Sequence, residues 1–166
     1  MANIDNFSWD SHSFFERLTS TNRLAVDGGY QFCRVSSLEG FQEALTNMMD
    51  AEAIVGSCDL SQGTLITANS PHVRRVKTVF LAKRHAFDSM DARMEAMNEL
   101  RELFRQFMTK LILEKTMLEE QCIYMDDRIS FTEIEKYFFS GCACAFFQIA
   151  IDTYANLAYD PDEWLS

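Results

Sequence analysis

The feature that most constrains this fold is a helical period that runs through residues 88–113. With successive residues placed 100° apart, large apolar side chains gather on about half of the helix circumference, which is typical of a core-facing helix. Beyond residue 113, Lys115 and Glu119 would face the core, so the pattern predicts that the helix ends or bends there. A helix of about 26 residues is roughly 39 Å long, enough to cross a small domain. The members of this apolar arc are Met90, Met94, Met97, Leu100, Leu103, Phe104, Phe107, Met108, Leu111 and Ile112.

Two arginines interrupt the apolar arc, since Arg93 and Arg101 lie inside it or at its edge. A charge in such a position must be paired, or its side chain must extend to solvent. The simpler interpretation is that the aliphatic stems pack while the guanidinium groups reach water or an acidic neighbour. The alternative is that this part of the helix contacts another subunit, which makes both arginines candidate interface residues.

The composition is that of a folded, acidic domain. The chain has 166 residues, 48% of them hydrophobic, and fits one domain spanning residues 1–166. Its formal net charge of −10 argues against general nucleic-acid binding, because neutralising phosphates needs a basic surface. The 14 Phe and 9 Met suit interfaces as well as cores, which favours an assembling protein. The chain starts without a secretory signal and contains no membrane span, so we expect a cytoplasmic protein without membrane partners.

Short helices and strands precede and follow the long helix. At Ser13 and Ser36 a serine stands three residues before a glutamate, the spacing of a capping box, and predicts two helices. The first extends to about residue 24, and the second carries an apolar stripe made of Leu38, Phe41, Leu45 and Met48. Asp126 and Asp127, in a polar segment, predict a turn. Alternating or β-branched runs predict strands at residues 30–35, 53–58, 64–68, 72–86, 129–139 and 142–151.

The strand at residues 72–86 is the most basic segment of the chain, and its cations bracket an apolar centre at residues 79–82. This pattern predicts a strand that crosses a sheet and projects beyond it. The simpler interpretation of the cations is solvated strand ends that discourage edge pairing. The alternative is a basic patch that faces an acidic partner surface or a nucleic-acid passage in an oligomer. The cations are Arg74, Arg75, Lys77, Lys83 and Arg84.

Both ends of the chain differ from the domain between them. Residues 1–10 are expected to form an N-terminal arm, in which Phe7 and Trp9 are candidate anchors. Residues 153–166 form an acidic tail whose candidate interface residues are Asp160, Asp162 and Glu163. We expect this tail to contact the basic strand ends of another copy, since complementary charges steer and register subunits.

The motifs of the chain predict no catalytic, cofactor or metal site. There is no G-x-x-x-x-G-K-[ST] phosphate loop, no G-x-S-x-G elbow and no H-E-x-x-H pair. The five cysteines are expected to be free thiols. Cys142 and Cys144 would share one face of a strand and could bind a metal together with a histidine. No second Cys/His pair has zinc-site spacing, so packing is the preferred interpretation, and we expect the chain not to be an enzyme.

The order of the predicted elements indicates an α+β domain. Its mainly antiparallel sheet would pack against the long helix and one or two shorter helices, with the helix after Ser37 on the same face as the long one. A basic strand that leads into a long amphipathic helix and is followed by a late strand pair resembles small tail-terminator or neck proteins of phages and phage-derived tail-like particles, over residues 30–151. The resemblance implies a ring-forming structural protein that caps or joins a tube and has no catalytic residues.

Two functions follow as expectations. The first is a non-enzymatic, homo-oligomeric component of a phage-like tail or neck, which contacts other particle proteins and is incorporated into a virion or tail-like particle. The alternative is a small α+β domain, either a binding protein or an enzyme, that holds an anionic small ligand. Its pocket would lie between the long helix and the sheet and would use Arg93 or Arg101.

Overall fold

The computed structural model describes residues 9–47, 50–58, 62–86, 88–134 and 141–165, and all the elements below lie within these ranges. The predicted anchor Phe7 and the predicted stripe residue Met48 lie outside them. The helices are α1 (Ser11–Thr21), α2 (Arg23–Asp27), α3 (Leu38–Asn47) and α4 (Met90–Glu120), and a 3-10 turn lies at Pro161–Glu163. The strands are β1 (Tyr30–Val35), β2 (Ala53–Cys58), β3 (Gly63–Ile66), β4 (His72–Arg84), β5 (Ile123–Met125), β6 (Ser130–Glu133) and β7 (Cys142–Tyr154).

β4 and β7 form the centre of the sheet. They pair antiparallel along all 13 residues of each strand, from His72 opposite Tyr154 to Arg84 opposite Cys142. β2 and β3 pair with the other edge of β4, while β5 and β6 pair with the other edge of β7. β1 pairs parallel with β2, and every other described pairing is antiparallel. The prediction of an α+β fold, with a mainly antiparallel sheet and one long helix, is confirmed.

Alternate residues of the central strands face two separate hydrophobic clusters. Val79 and Leu81 of β4 belong to the larger cluster, in which α1 and α4 cover the sheet. Phe80 and Ala82 belong to the smaller cluster, which α3 covers through Phe41 and its neighbours. The expectation that α3 shares a face with the long helix is therefore wrong. An apolar stripe predicts that a helix is buried, but it does not specify the face of the sheet that the helix covers.

Aromatic rings join α1 to α4 and to the sheet. Phe15 is fully buried, and its ring centroid lies 6.0 Å from that of Phe107 on α4 and 5.5 Å from that of Phe147 on β7. Trp9 is buried just before α1, with its ring 5.5 Å from Phe14 and 6.1 Å from Phe15. Tilted and edge-to-face rings of this kind stabilise a core beyond the area that they bury. Trp9 thus anchors the chain ahead of α1, as predicted.

The predicted helix starts differ from the observed ones by a few residues. α1 begins before Ser13 and uses Asp10 as its N-cap, whose carboxylate accepts from the Ser13 N–H at 3.1 Å. The first helix is also shorter than expected, because Asn22 separates α1 from α2 and caps α2. In α3 the capping hydroxyl is that of Ser37, which accepts from the Gly40 N–H at 3.0 Å. Where several good capping residues stand close together, spacing alone does not select one.

α4 is longer than its apolar period predicts. It spans 31 residues, a length of roughly 46 Å. Leu111 and Leu118, two turns apart, are both buried, so the core side of the helix continues past residue 113. Lys115 lies at the edge of this side, and its ammonium group contacts the Asp127 carboxylate in the loop after β5. The predicted end near residue 113 is wrong, because a paired charge at the edge of the core does not interrupt a helix.

The strands differ from the predictions mainly after α4. The polar segment before the predicted turn at Asp126 and Asp127 contains a strand that was not predicted, β5, in which Ile123 and Met125 are buried while Tyr124 between them is exposed. β6 ends at Glu133, and residues 135–139, which were predicted to continue it, lie outside the described residues. β5 was not predicted because a strand of three residues presents too few alternating side chains for its period to be recognised. The other predicted strands are confirmed to within a few residues at each end.

The close approach of β2 to α3 makes Gly56 a position with no room for a side chain. A Cβ there would lie 2.7 Å from the Phe41 ring, which is fully buried and stacks on Phe80 at 5.0 Å. We expect Gly56→Ala to lower the free energy of unfolding by about 1–3 kcal/mol through overpacking, as measured by urea denaturation. Gly40→Ala on α3 is the control, since its Cβ would meet only serine hydroxyls. Equal stabilities of the two variants would contradict this packing.

The residue after the α4 C-cap is strained. Cys122 has a φ of +60°, a left-handed conformation in which glycine is the usual residue after a helix. The left-handed region costs a non-glycine residue roughly 1–2 kcal/mol, and the greater unfolded-state entropy of glycine offsets part of this difference. We therefore expect Cys122→Gly to raise the free energy of unfolding by about 0.5–1 kcal/mol. Cys122→Ala removes the thiol but keeps the Cβ, and a similar gain there would show that strain is not the cause.

Candidate interaction surfaces

β4 does not present its five cations as one basic patch. Because side chains alternate along a strand, Arg74 and Arg84 lie on the face covered by α3, whereas Arg75, Lys77 and Lys83 lie on the face covered by α4. The cations near the two ends of β4 are also separated by about 20 Å or more, at 3.3 Å per residue. They therefore lie in distinct environments.

Arg74 joins three strands at one end of the sheet. Its Nη1 donates to Asp152 Oδ2 on β7 at 2.8 Å, and its Nη2 contacts the Asp126 carboxylate at the end of β5. Hydrogen bonds from the Arg128 N–H and from Arg74 hold the pKa of Asp126 below its usual range. The hydrogen bond to Asp126 in turn raises the pKa of Arg74. This cation from the predicted patch is held within its own fold.

Lys83 and Arg84, at the other end of β4, attach the sheet to helices on its two faces. The Lys83 Nζ lies 2.7 Å from Glu99 Oε1 on α4. The Arg84 guanidinium donates to the Ala51 carbonyl at 2.9 Å and to the Leu45 carbonyl, in the last turn of α3, at 2.8 Å. A cation at that position also interacts favourably with the partial negative charge of a helix C-terminus.

The two arginines that interrupt the apolar arc of the long helix contact the segment around β6. Arg101 donates from Nε and Nη2 to the two carboxylate oxygens of Glu133 at 2.5 and 2.8 Å, and from Nη1 to Asn98 at 2.7 Å. The hydrogen bonds from Arg101 lower the pKa of Glu133. Arg93 is half-buried, and its Nη2 lies 3.5 Å from the Ile134 carbonyl oxygen. Arg101 therefore reaches an acidic neighbour in its own chain.

Arg75 is the predicted interface cation least engaged by its own fold. It is half-buried on the α4 face of β4, opposite Gly63 of β3. Within the described ranges, no carboxylate lies close enough to form an ion pair with it. It is therefore the candidate best placed to meet an external anion.

The acidic tail starts at the same end of the sheet as Arg75. The Ala155 N–H donates to the Pro71 carbonyl at 2.9 Å, which places the start of the tail beside the start of β4. Farther along, Asp160 caps the 3-10 turn by accepting from the Asp162 N–H at 3.0 Å. Glu163 lies in that turn, and the carboxylates of all three predicted interface residues are exposed.

The tail also exposes aromatic surface. The rings of Tyr159 and Trp164 stack with their centroids 6.4 Å apart, while the two residues remain 75% and 66% exposed. Large rings so open to solvent are typical of surfaces that another molecule covers.

α4 exposes an uncharged apolar strip on the side away from the sheet. Ile112 is 67% exposed, Leu113 63% and Met117 57%, whereas Leu111 and Leu118 face the core. The assignment of Ile112 to the buried arc, with that of Met90 and Met94, is wrong, because the sheet covers a narrower stripe than half of the helix. Lys110 and Glu119 lie at the two margins of this side, and between these margins it carries no ionised group from Thr109 to Met117, which was the signal for it in the sequence. We call these exposed residues the outer strip: Thr109, Ile112, Leu113, Thr116 and Met117.

A small cavity lies between α4 and the β5–β6 segment. Its volume is about 260 Å³ and its wall is mainly apolar, formed by Phe104, Met108, Leu111, Ile112, Lys115, Met125, Asp126, Asp127 and Ile129. Pockets for drug-sized ligands occupy about 300–1,000 Å³, so this one is small. Neither Arg93 nor Arg101 is part of its wall, and its one cation, Lys115, is paired with Asp127.

Cys142 and Cys144 share one face of β7, as predicted, and both are buried in the cluster beneath α3. Burial raises the pKa of each thiol, which disfavours the thiolate that a metal would require. Across the described residues, no group of three or more His, Cys, Asp or Glu side chains is arranged to hold a metal ion. The arrangement is that of a packed core.

The comparisons with known proteins add no family to this picture. The chain matches none of the protein-family models, and no curated protein matches it significantly. None of the helices in the described part of the chain is long and apolar enough to cross a membrane. The geometry of the chain itself therefore carries the functional argument.

The ion pairs of Arg74 with Asp126 and Asp152 predict that a variant without this arginine differs from wild type in stability, by an amount that depends on pH. In the folded state the pKa of Asp126 is depressed, so its ion pair stabilises the fold above the unfolded pKa of about 3.9 and is lost as pH falls below it. We expect Arg74→Met to be destabilising at pH 7 and the difference from wild type to shrink below about pH 4, as measured by urea denaturation across that range. Arg75→Met, on the same strand, is the control and should show little pH dependence. The same pH profile for both variants would disprove the assignment.

Proposed function

We propose that this protein is a non-enzymatic structural protein that forms homo-oligomers and serves as a component of a phage or phage-like tail or neck. The observation that carries the proposal is the outer strip, in which Ile112, Leu113 and Met117 are each more than half exposed. Soluble monomers rarely expose contiguous large apolar patches, and such patches mark surfaces that other proteins cover.

The type of particle is proposed from the order of the elements. β4 leads into α4, and β6 and β7 follow late in the chain, which is the order on which the resemblance to tail-terminator and neck proteins rests. In that setting the chain would be made in the cytoplasm, associate with copies of itself and with other particle proteins, and become part of the virion or tail-like particle.

Charge complementarity supports a second contact between copies. The acidic tail exposes Asp160, Asp162 and Glu163, while Arg75 lies half-buried at the end of the sheet where the tail begins. Tail carboxylates from one copy would meet this end of β4 in a neighbouring copy. Such contacts raise association rates and fix register more than they add affinity.

Self-association is the direct test of this proposal. We expect the mass measured by light scattering to rise between low and high micromolar concentrations, and rings or stacks to be visible by electron microscopy. Added salt should weaken the contact with the acidic tail, since screening reduces exposed charge pairs, but should preserve apolar contacts. A strict monomer at both concentrations that forms no ring under assembly conditions would overturn the proposal.

The alternative is that the protein binds an anionic small ligand, and the cavity beside α4 is the observation in its favour. A ligand that binds only the folded state raises the melting temperature. A metabolite panel should then contain a compound that raises the melting temperature of the monomer, and Arg101→Ala should abolish the shift if that residue contacts the ligand. A shift that Lys115→Ala removes and Arg101→Ala preserves would place the ligand in the cavity instead.

A further inference from the structure

The outer strip is bounded by charges of opposite sign. Arg105 lies one turn before Thr109 on the same outward side, and Glu120 lies one turn after Thr116. Both residues are exposed, and the Arg105 side chain is 63% accessible although it pairs with Glu102 on its own helix. Ile112 and Leu113 form the apolar centre of the strip, and a threonine lies on each side of them. Beyond the threonines there is a cation at one end and an anion at the other.

This arrangement is self-complementary when two helices lie antiparallel. A two-fold axis passing between residues 112 and 113 brings Thr109 of one copy opposite Thr116 of the other, and Arg105 opposite Glu120. Ile112 and Leu113 from both copies then meet around the axis. A parallel arrangement in register would instead set Arg105 against Arg105 and Glu120 against Glu120, and like charges disfavour that arrangement.

We propose that the outer strip of α4 is a homodimer interface in which two copies pack antiparallel about this axis. The inference rests on the proposed function, because it names the surface through which the chain self-associates. In an assembly that also contains rings, a two-fold contact of this kind joins two copies, or two rings face to face, whereas the contacts around a ring are head-to-tail.

Helix geometry predicts the angle at which the two copies of α4 cross. The strip and its end charges form two ridges of residues spaced four apart: Arg105, Thr109, Leu113 and Met117 in one, and Ile112, Thr116 and Glu120 in the other. When ridges of this spacing interdigitate, helices cross at about −50°. The two small threonines beside the axis allow the helices to approach closely, while Met117 is flexible enough to fill the remaining space.

The contact is also expected to be weak. About four turns of one helix from each copy bury less area than a standard interface of roughly 1,600 Å². The dimer should therefore form in a concentration-dependent manner, and its dissociation constant should respond strongly to single substitutions at the centre.

The first test compares two identical substitutions on one helix. Met117→Glu places a charge in the strip, and Met94→Glu places one on α4 outside it, at positions that are 57% and 50% exposed. We expect Met117→Glu to raise the dissociation constant of the dimer, measured by sedimentation velocity, by about tenfold or more, a change of about 1.4 kcal/mol or more. Met94→Glu should leave it near the wild-type value. Circular dichroism controls for folding, and equal effects of the two variants would overturn the interface.

Charge reversal tests the register of the pairing. Arg105→Glu and Glu120→Arg should each weaken the dimer by placing like charges opposite each other, and the double variant should recover most of the wild-type affinity. Additive losses in the double variant would show that these residues do not face each other across the interface.

Cysteine cross-linking tests the axis independently. In a Cys122→Ser background, which removes an exposed thiol, Leu113→Cys should oxidise to a disulfide-linked dimer because the residue meets its own copy at the axis. Thr109→Cys and Thr116→Cys should not cross-link singly, but the variant that carries both should. Cross-linking by either single threonine variant would rule out this axis.

These experiments also distinguish a failure of the α4 interface from a failure of the proposed function. A wild-type protein that self-associates while Met117→Glu, charge reversal and cross-linking have no effect would overturn the α4 interface and leave the assembly proposal standing. A wild-type protein that is monomeric at high micromolar concentration would overturn both.

Discussion

The antiparallel ladder between β4 and β7 is the interaction on which the rest of the fold depends. It pairs 13 residues of each strand. β2, β3, β5 and β6 each pair with one of its two outer edges, and β1 is joined to it through β2. Its alternating side chains also create both hydrophobic clusters, since Val79 and Leu81 face one way while Phe80 and Ala82 face the other. α1 and α4 cover the apolar side chains on one face of this ladder, and α3 covers those on the other.

The same ladder explains why the cations of β4 do not form one basic patch. A strand at the centre of a sheet has neighbours on both edges and helices on both faces, so most cations on it lie near carboxylates or carbonyls of its own chain. Arg74, Lys83 and Arg84 each hold a different neighbouring element to the sheet in this way. The proposed contact with other molecules therefore rests on exposed apolar surface on α4 more than on positive charge on β4.

The sequence predicts this fold best where many consecutive residues repeat one pattern. The long period of α4 and the apolar run of β7 identify two major elements, and the fold class follows from their order. β5 is missed because its burial is visible only as Ile123 and Met125 on either side of Tyr124. The face covered by α3 is missed because it depends on strand order: parallel crossovers are almost always right-handed, so pairing β1 with β2 leaves α3 one face. The outer strip is missed because hydrophobicity alone does not separate an apolar side chain that faces the core from one that is exposed on the opposite side of the helix.

The central ladder also determines when the chain can fold. Its nearest paired residues, Arg84 and Cys142, are 58 positions apart, and α4, β5 and β6 all lie in the intervening segment. Contacts so distant in sequence carry a large loop-closure entropy and are associated with slow folding. During synthesis β4 is complete long before its partner leaves the ribosome, while α4 can form locally in the interval. β7, which is synthesised after the other described strands, thus closes the sheet.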